Sequence, residues 1–336
     1  MASTRAATLQ DVADLSGVSR GTASRALTGE GRVSAQTKSR VLDAARSLDY
    51  STNSGARNLR HARAGSIGLW LPGGMNSMDY YMNFAVGVVE STKDRELTVS
   101  LIPADFPAAK ARSLHVDGFV MSDVIAGDEL ARAILGTGRP VVVSELVPPG
   151  MPEPTAIVAA DHRTAMSQLL DRLTAGGATS IAVIRPPVNQ MWVHIAAEAA
   201  ADWAGRHGVP VAFVDLEGVP SAEELHRIIR ALQATHPDVD GIVCLPEGLG
   251  VGILSTLREL GRSVPEDIQL VSYTDSPTLR IVQPPISALD LRAKDAGMHA
   301  GELLISLIEG AEGSGHTIQW FDLVYRERSS TRPPRT

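Results

Sequence analysis

The 336-residue chain has one cysteine, Cys244, so an intramolecular disulfide framework is excluded and a reducing cytoplasm fits. There is no run of about 18 apolar residues, which removes the expectation of a membrane span. The N-terminus lacks the apolar segment of a secretory signal. A phosphate-cradling GxxxxGK[ST] loop, an HExxH zinc helix and a GxSxG nucleophile elbow are all missing. The nine histidines are scattered, and His194 and His299 have no neighbour at metal-ligand spacing. Gly248-Leu249-Gly250-Val251-Gly252 is glycine-rich without being GxGxxG, and is expected to serve close helix packing. No metal, no cofactor and no catalytic set is therefore expected.

The net charge of −7 hides an asymmetry. Residues 1–65 carry ten Lys/Arg against five Asp/Glu, and the remainder is acidic by twelve. A basic head on an acidic body concentrates an anion-attracting field at one end of the chain. The length exceeds one ordinary core, so several domains are expected.

Within the basic head, Thr8 to Leu27 reads as two short helices and a tight turn. Leu9, Val12, Ala13 and Leu15 are expected to form the apolar face of the first. Thr8 and Asp11 make a capping box, because the threonine oxygen satisfies an orphan N–H while the acid reaches back. Gly17 suits the left-handed residue that ends the helix. Ser19 caps the second helix, which turns Ala23, Ala26 and Leu27 inward and leaves Arg20, Gly21, Ser24 and Arg25 outward. Such a helix suits a DNA major groove. Arginine bonds guanine O6 and N7 in a fork, hydroxyls bond phosphate, and Gly21 admits the backbone closely. A third helix is expected from the Ser34 cap to about Leu48, with Val41, Ala44, Ala45 and Leu48 inward. Lys38 and Arg40 near its start face either phosphate or solvent. Asn53 can cap a further short helix carrying Arg57, Leu59, Arg60 and Arg63. It is too short to stand alone, which predicts a segment that orders on DNA. Leu59 is either a wedge for a minor-groove base step or a contact to the domain behind it.

The run from Thr8 through Arg60, with DVADLSGVS, TASRAL, RVSAQT and the Tyr50/Asn53/Leu59 hinge, resembles the LacI/GalR transcription regulators. The resemblance implies a homodimer on a near-palindromic operator, with Arg20, Gly21 and Arg25 at base-reading positions and Leu59 prying the central minor groove. The expected DNA-facing set is Thr8, Leu9, Ser19, Arg20, Gly21, Thr22, Ser24, Arg25, Ser34, Asn53, Ala56, Arg57, Leu59 and Arg60. Thr52 departs from the family, which usually has proline before the hinge asparagine.

Beyond Gly65 apolar strands alternate with helices in two series, predicting an α/β body of two lobes with parallel sheets. The resemblance continues through it and implies a periplasmic-binding-protein-like architecture, with chain crossovers near 160, 289 and 315. The expected division is 1–50 helix-turn-helix, 51–64 hinge and 65–336 effector and dimerisation domain. The N-lobe takes about 65–160 and 290–314, the C-lobe about 161–289 and 315–332. Open α/β lobes bind ligands beyond the carboxyl ends of their strands. That rule points to the loops Pro72–Tyr81, Ser122–Val124, Ser144–Val147, Arg185–Trp192, Leu245–Gly248 and Thr274–Pro277, and the expected effector residues are Tyr80, Tyr81, Ser122, Asp161, Arg185, Trp192, Glu247, Tyr273 and Asp275, with core packing the alternative role for the aromatics. Cys244 is expected to be a small core residue.

The cleft residues depart from the sugar-binding pattern of the family. Pro246-Glu247 stands where those members carry Asn-Asp. Ser272-Tyr273-Thr274-Asp275 replaces Gly-Phe/Tyr-Asp-Asp, and Trp192 and His194 appear where an Arg precedes a Gly. Losing several polar partners together argues against an ordinary hexose. A more apolar or larger effector, or control by a partner protein, stays open. So do two rivals: a small-molecule sensor that does not touch DNA, and an enzyme working in the cleft. The resulting expectation is a cytoplasmic DNA-binding repressor, nucleoid-associated when bound, with no heptads in the C-terminal SSTRPPRT to build a tetramer.

Overall fold

A computed structural model describes residues 7–28, 31–50, 63–73, 79–95, 97–310 and 317–335. The hinge positions Asn53, Ala56, Arg57, Leu59 and Arg60 lie outside the described residues. The chain separates into two compact units, residues 1–64 and 65–336.

The first unit packs α1 (Leu9–Ser16), α2 (Arg20–Thr28) and α3 (Ala35–Ser47). The Thr8/Asp11 capping box is complete in both directions, and Gly17 takes φ 65° at the end of α1. The Ser19 hydroxyl accepts the Thr22 N–H at 3.1 Å, and that of Ser34 accepts the Thr37 N–H at 3.2 Å. These local bonds set where each helix starts before any tertiary contact forms. Val12, Ala13, Ala23, Ala26, Val41, Ala44 and Ala45 make the small core. Leu15 is a correction. It is 58% exposed, and Ser16 turns inward instead. Positions 9, 12, 13 and 16 follow the helical repeat, and position 15 falls off that stripe.

The second unit has two lobes, each built on a six-stranded sheet. Along the chain come β1 (Ser66–Trp70), α4 (Asp79–Ser91), β2 (Thr98–Ile102), β3 (Phe119–Ser122), α5 (Glu129–Leu135), β4 (Val141–Ser144) and β5 (Ala156–Ala160). Next are α6 (His162–Ala175), β6 (Ile181–Arg185), α7 (Met191–His207), β7 (Val211–Asp215), α8 (Ala222–Thr235), β8 (Gly241–Cys244) and α9 (Leu249–Glu259). The chain ends with β9 (Gln269–Ser272), α10 (Thr278–Ile281), β10 (Ser287–Asp290), α11 (Ala293–Ile308), β11 (Thr317–Phe321) and β12 (Val324–Arg326). The N-lobe sheet runs β11-β5-β4-β3-β1-β2, and the C-lobe sheet β12-β10-β9-β8-β6-β7. All neighbours pair in parallel except β10 with β12.

Inner strands are buried and mainly apolar because helices cover both faces. On β6, Ile181 and Val183 join one core cluster while Ala182 and Ile184 join the other. The third crossover differs from the expected boundary. β11 pairs with β5 in the N-lobe and β12 with β10 in the C-lobe, so the chain crosses at residues 322–323 and not near 315. What reads as one terminal strand is two, divided by two residues.

Candidate functional site: an acid-lined cleft and an arginine-bearing helix

In each sheet the strand order reverses around its first strand, β1 in the N-lobe and β6 in the C-lobe, and such switch points open a crevice at the strand ends. The start of α4 and the residues just after β3 and β4 meet those after β6, β8 and β9 around a cavity of about 380 Å³. Tyr80, Tyr81, Trp192 and Glu247 of the expected set line it. So do Asp123, Glu145, Asn189 and Gln190, which lie in the expected loops without being singled out, and His162, which lies outside them.

Asp123 and Glu145 each follow a buried strand and adopt positive φ, 48° and 71°. This region is uncommon for residues with a Cβ and costs of order 1 kcal/mol. The turn delivers both carboxyl groups into the cleft. Tyr81 donates its hydroxyl to Asp123 Oδ2 at 2.6 Å. Asp123 Oδ1 has no hydrogen-bond partner among the described residues. Burial first, and the negative charge of Glu145 second, push the Asp123 carboxyl up to about 7. Glu145 Oε1 accepts the Ala160 N–H at 3.3 Å. Its Oε2 lies 3.1 Å from His162 Nε2, a close contact without hydrogen-bond alignment. His162 Nδ1 is 3.0 Å from the Tyr273 hydroxyl. Trp192 stacks on Tyr273 at 6.0 Å and 16°. The Tyr80 hydroxyl faces those of Ser122 and Ser144 deep in the cleft, and burial, then the charge of Asp123, raises its pKa.

Beside the Glu145–His162 contact, two hydrogen-bonded bridges among the described residues join the lobes. Glu247 accepts the backbone N–H groups of Asp79 at 2.8 Å and Tyr80 at 3.3 Å, at the start of α4. The Ala126 N–H donates to the Asn189 carbonyl at 3.0 Å. Burial raises the Glu247 carboxyl above the usual range.

Five expected effector residues do not line the cavity. Ser122 is the last residue of β3 and is fully buried. Asp161 caps α6 by accepting the Thr164 N–H. Although its own partial burial pushes its carboxyl up, hydrogen bonds from Thr164 hold it below the usual range. Arg185 pairs with Asp215 and lies over the Phe213 ring. Tyr273 is buried behind Trp192. Asp275 is held by both terminal nitrogens of Arg328, at 2.8 and 2.7 Å. Cys244 is fully buried, with its thiol pushed up to about 12 by burial. Among the described residues, no group of three or more His, Cys, Asp or Glu could hold a metal ion. None of the described helices is long and apolar enough to cross a membrane.

On the first unit, Arg20, Gly21 and Arg25 are exposed along one side of α2, with Thr22 and Ser24 half-buried beside them. Thr8, Ser19 and Ser34 are exposed at helix starts. Leu9 is half-buried against the core. Arg25 Nε donates to the Gly21 carbonyl at 3.2 Å, which lays its stem along the helix.

Residues 8–53 match the model of the bacterial regulatory proteins, lacI family, and residues 170–331 that of the periplasmic binding protein-like domain. The chain is 26% identical over 333 residues to the ribose operon repressor of Bacillus subtilis, covering 97% of this chain and 99% of that one. The chain belongs to the LacI family. As a LacI-family protein it is a DNA-binding transcription regulator. Its fold matches the Lac repressor dimer bound to operator and the anti-inducer ONPF, at TM-score 0.81 and 18% identity over 97% of this chain and 99% of that one. It also matches a CelR–cellobiose complex, at TM-score 0.72 and 24% identity over 96% and 99%.

Proposed function

We propose that this LacI-family protein is a repressor that grips a near-palindromic operator as a homodimer, and that a small molecule in the inter-lobe cleft sets its hold. The observation that carries this is the pairing of two features in one chain. One is a capped three-helix unit that exposes Arg20, Gly21 and Arg25 on α2. The other is a two-lobed body with a buried cavity between its strand ends. In this reading residues 1–50 bind DNA, 51–64 form the hinge, and 65–336 sense and dimerise. The hinge contributes Asn53, Ala56, Arg57 and Arg60 to the minor groove and Leu59 as its wedge. The protein works in the cytoplasm, at the nucleoid.

An apolar stripe supports pairing through the N-lobe. Met82, Val86 and Val89 recur along one side of α4 and are 60%, 41% and 52% exposed, and Leu101 on the edge strand β2 is 65% exposed. A second copy would cover them. The relatives' names include a ribose operon repressor and a cellobiose complex, so a small polar effector is the natural class from which to start.

The experiment is selection of bound duplex from a random pool, followed by titration of the selected site. Arg20→Ala and Arg25→Ala are each expected to cost about 1–3 kcal/mol and to relax preference at one base position. Failure to enrich any two-fold-symmetric sequence at low ionic strength would falsify the operator assignment.

A further inference from the structure

The cleft is richer in negative charge than a neutral ligand needs. Asp123, Glu145 and Glu247 all line it, and no Lys or Arg lines it among the described residues. The sequence from Leu71 to Met82, which includes the positions just before α4, contains neither residue type. Among the described residues His162 is the single basic side chain on the wall, and it faces Glu145. Asp123 is 95% buried, since its exposure is 5%, yet its Oδ1 is unpartnered among the described residues. A buried carboxylate oxygen without a donor is costly, and the cost is relieved either by a proton on the carboxyl or by a donor that carries positive charge. The aromatic faces of Tyr80 in one lobe and Trp192 in the other are suited to the remainder of such a ligand, through apolar contact and cation–π attraction.

We propose that the effector is an organic cation, a protonated amine on a flat or apolar body, whose ammonium donates to Asp123 Oδ1 while Tyr80 and Trp192 sandwich the body. This rests on the cleft being the effector site. A neutral sugar would bring no positive charge to the unpartnered Asp123 Oδ1. A cation supplies the missing charge and adds contacts to both lobes, which is what a ligand must do to bias their arrangement.

The pH dependence follows with a definite sign. Asp123 stands at about 7, whereas alkylammonium groups stay protonated to about pH 10. Binding selects the ionised carboxylate, so affinity rises with pH, about tenfold between pH 6 and 8. The groups facing Asp123 are Tyr81, which donates to it, Glu145, which opposes its charge, and His162, which favours it. The Tyr80 ring stands edge-on to that of Tyr81 at 5.2 Å. Glu247 enters from the C-lobe.

The test uses the full chain and matched pairs of probes: benzylamine with benzyl alcohol, 2-phenylethylamine with 2-phenylethanol, and tryptamine with tryptophol, beside ribose and cellobiose. Calorimetric titration is expected to show at least one amine binding tenfold or more tightly than its alcohol, with the stated rise from pH 6 to 8. Asp123→Asn is expected to weaken that amine at least tenfold and to abolish the pH slope. Asparagine tolerates the positive φ there, and the wild-type amine–alcohol comparison decides the matter even if the variant fails to fold. Equal binding within every pair, or binding by a sugar alone, overturns the cation. A sugar that binds and releases operator leaves the sensory cleft standing. If no extract of cell metabolites alters operator binding, the sensory cleft falls as well.

Discussion

Asp123 is the residue on which most of the cleft's chemistry converges, and it affects stability as well as binding. Its folded pKa, about 7, lies above the ordinary carboxyl value of 3.8. The folded state therefore holds a proton that the unfolded state releases, so this group's contribution to stability is full below about pH 4 and is lost as pH rises towards and through 7. Asp123→Asn should remove that dependence. Its melting temperature relative to wild type is expected to climb steadily between pH 5 and 8, in calorimetric scans without effector. A constant difference across that range would show that the carboxyl titrates as it would in water. The expected loops contain Asp123 and Glu145, while two of the side chains singled out, Ser122 and Asp161, each sit one position before one that lines the cleft, Asp123 and His162. A strand ends with its last side chain committed to the sheet, and the following residue, freed by a positive φ, turns into the crevice. A signal was present in the repeated Ser-acid pairs Ser122-Asp123 and Ser144-Glu145, each closing an apolar strand. Arg185 and Asp275 were misread for a different reason. Their partners, Asp215 and Arg328, are 30 and 53 residues away, and no local pattern reveals such neighbours.

At the scale of elements, α4 against α11 is the contact that fixes the N-lobe behind the cleft, because α4 begins at the tyrosines that line it. The helices approach through glycine. A Cβ on Gly87 would collide with the Lys294 carbonyl, and one on Gly297 with the Phe84 carbonyl. Backbone cannot yield as a side-chain tip does, so Gly297→Ala should destabilise by about 1–3 kcal/mol from overpacking. Gly205→Ala, on α7 with open space around it, should instead stabilise by up to about 1 kcal/mol. Urea titration of both variants tests the pair, and a neutral Gly297→Ala would mean that the helices are free to separate. Helices and inner strands were legible because their causes are local: Thr8 with Asp11, Gly17, Ser34, and apolar runs such as SIGLW and VVVS. The third crossover was not. Which sheet takes Thr317–Phe321 is decided by pairing with Ala156–Ala160, some 160 residues earlier, and nothing in a five-residue stretch encodes that choice.

For the whole molecule the question is how an occupied cleft reaches the operator. Ligand and DNA are linked only if both bias one two-state element, and the two lobes are that element if they move as bodies. The bridges allow this to be measured. Glu247 holds the Asp79 and Tyr80 amides, whereas the Ala126 amide is held separately by the Asn189 carbonyl. Glu247→Ala deletes only the first. A hydrogen bond to a charged group contributes about 1.5–3 kcal/mol, so the Asp79 and Tyr80 amides should exchange at least about tenfold faster in the variant. Acidification of wild type should act in the same direction, because burial brings Glu247 to protonate above the usual carboxylate range. The decisive amide is Ala126. If the lobes swing as units, its exchange accelerates together with the other two, and the variant's operator affinity shifts in concert. If Ala126 keeps its wild-type protection while Asp79 and Tyr80 lose theirs, Glu247 caps one helix start and nothing more. The cleft would then need some route other than lobe rotation to govern the DNA-binding end.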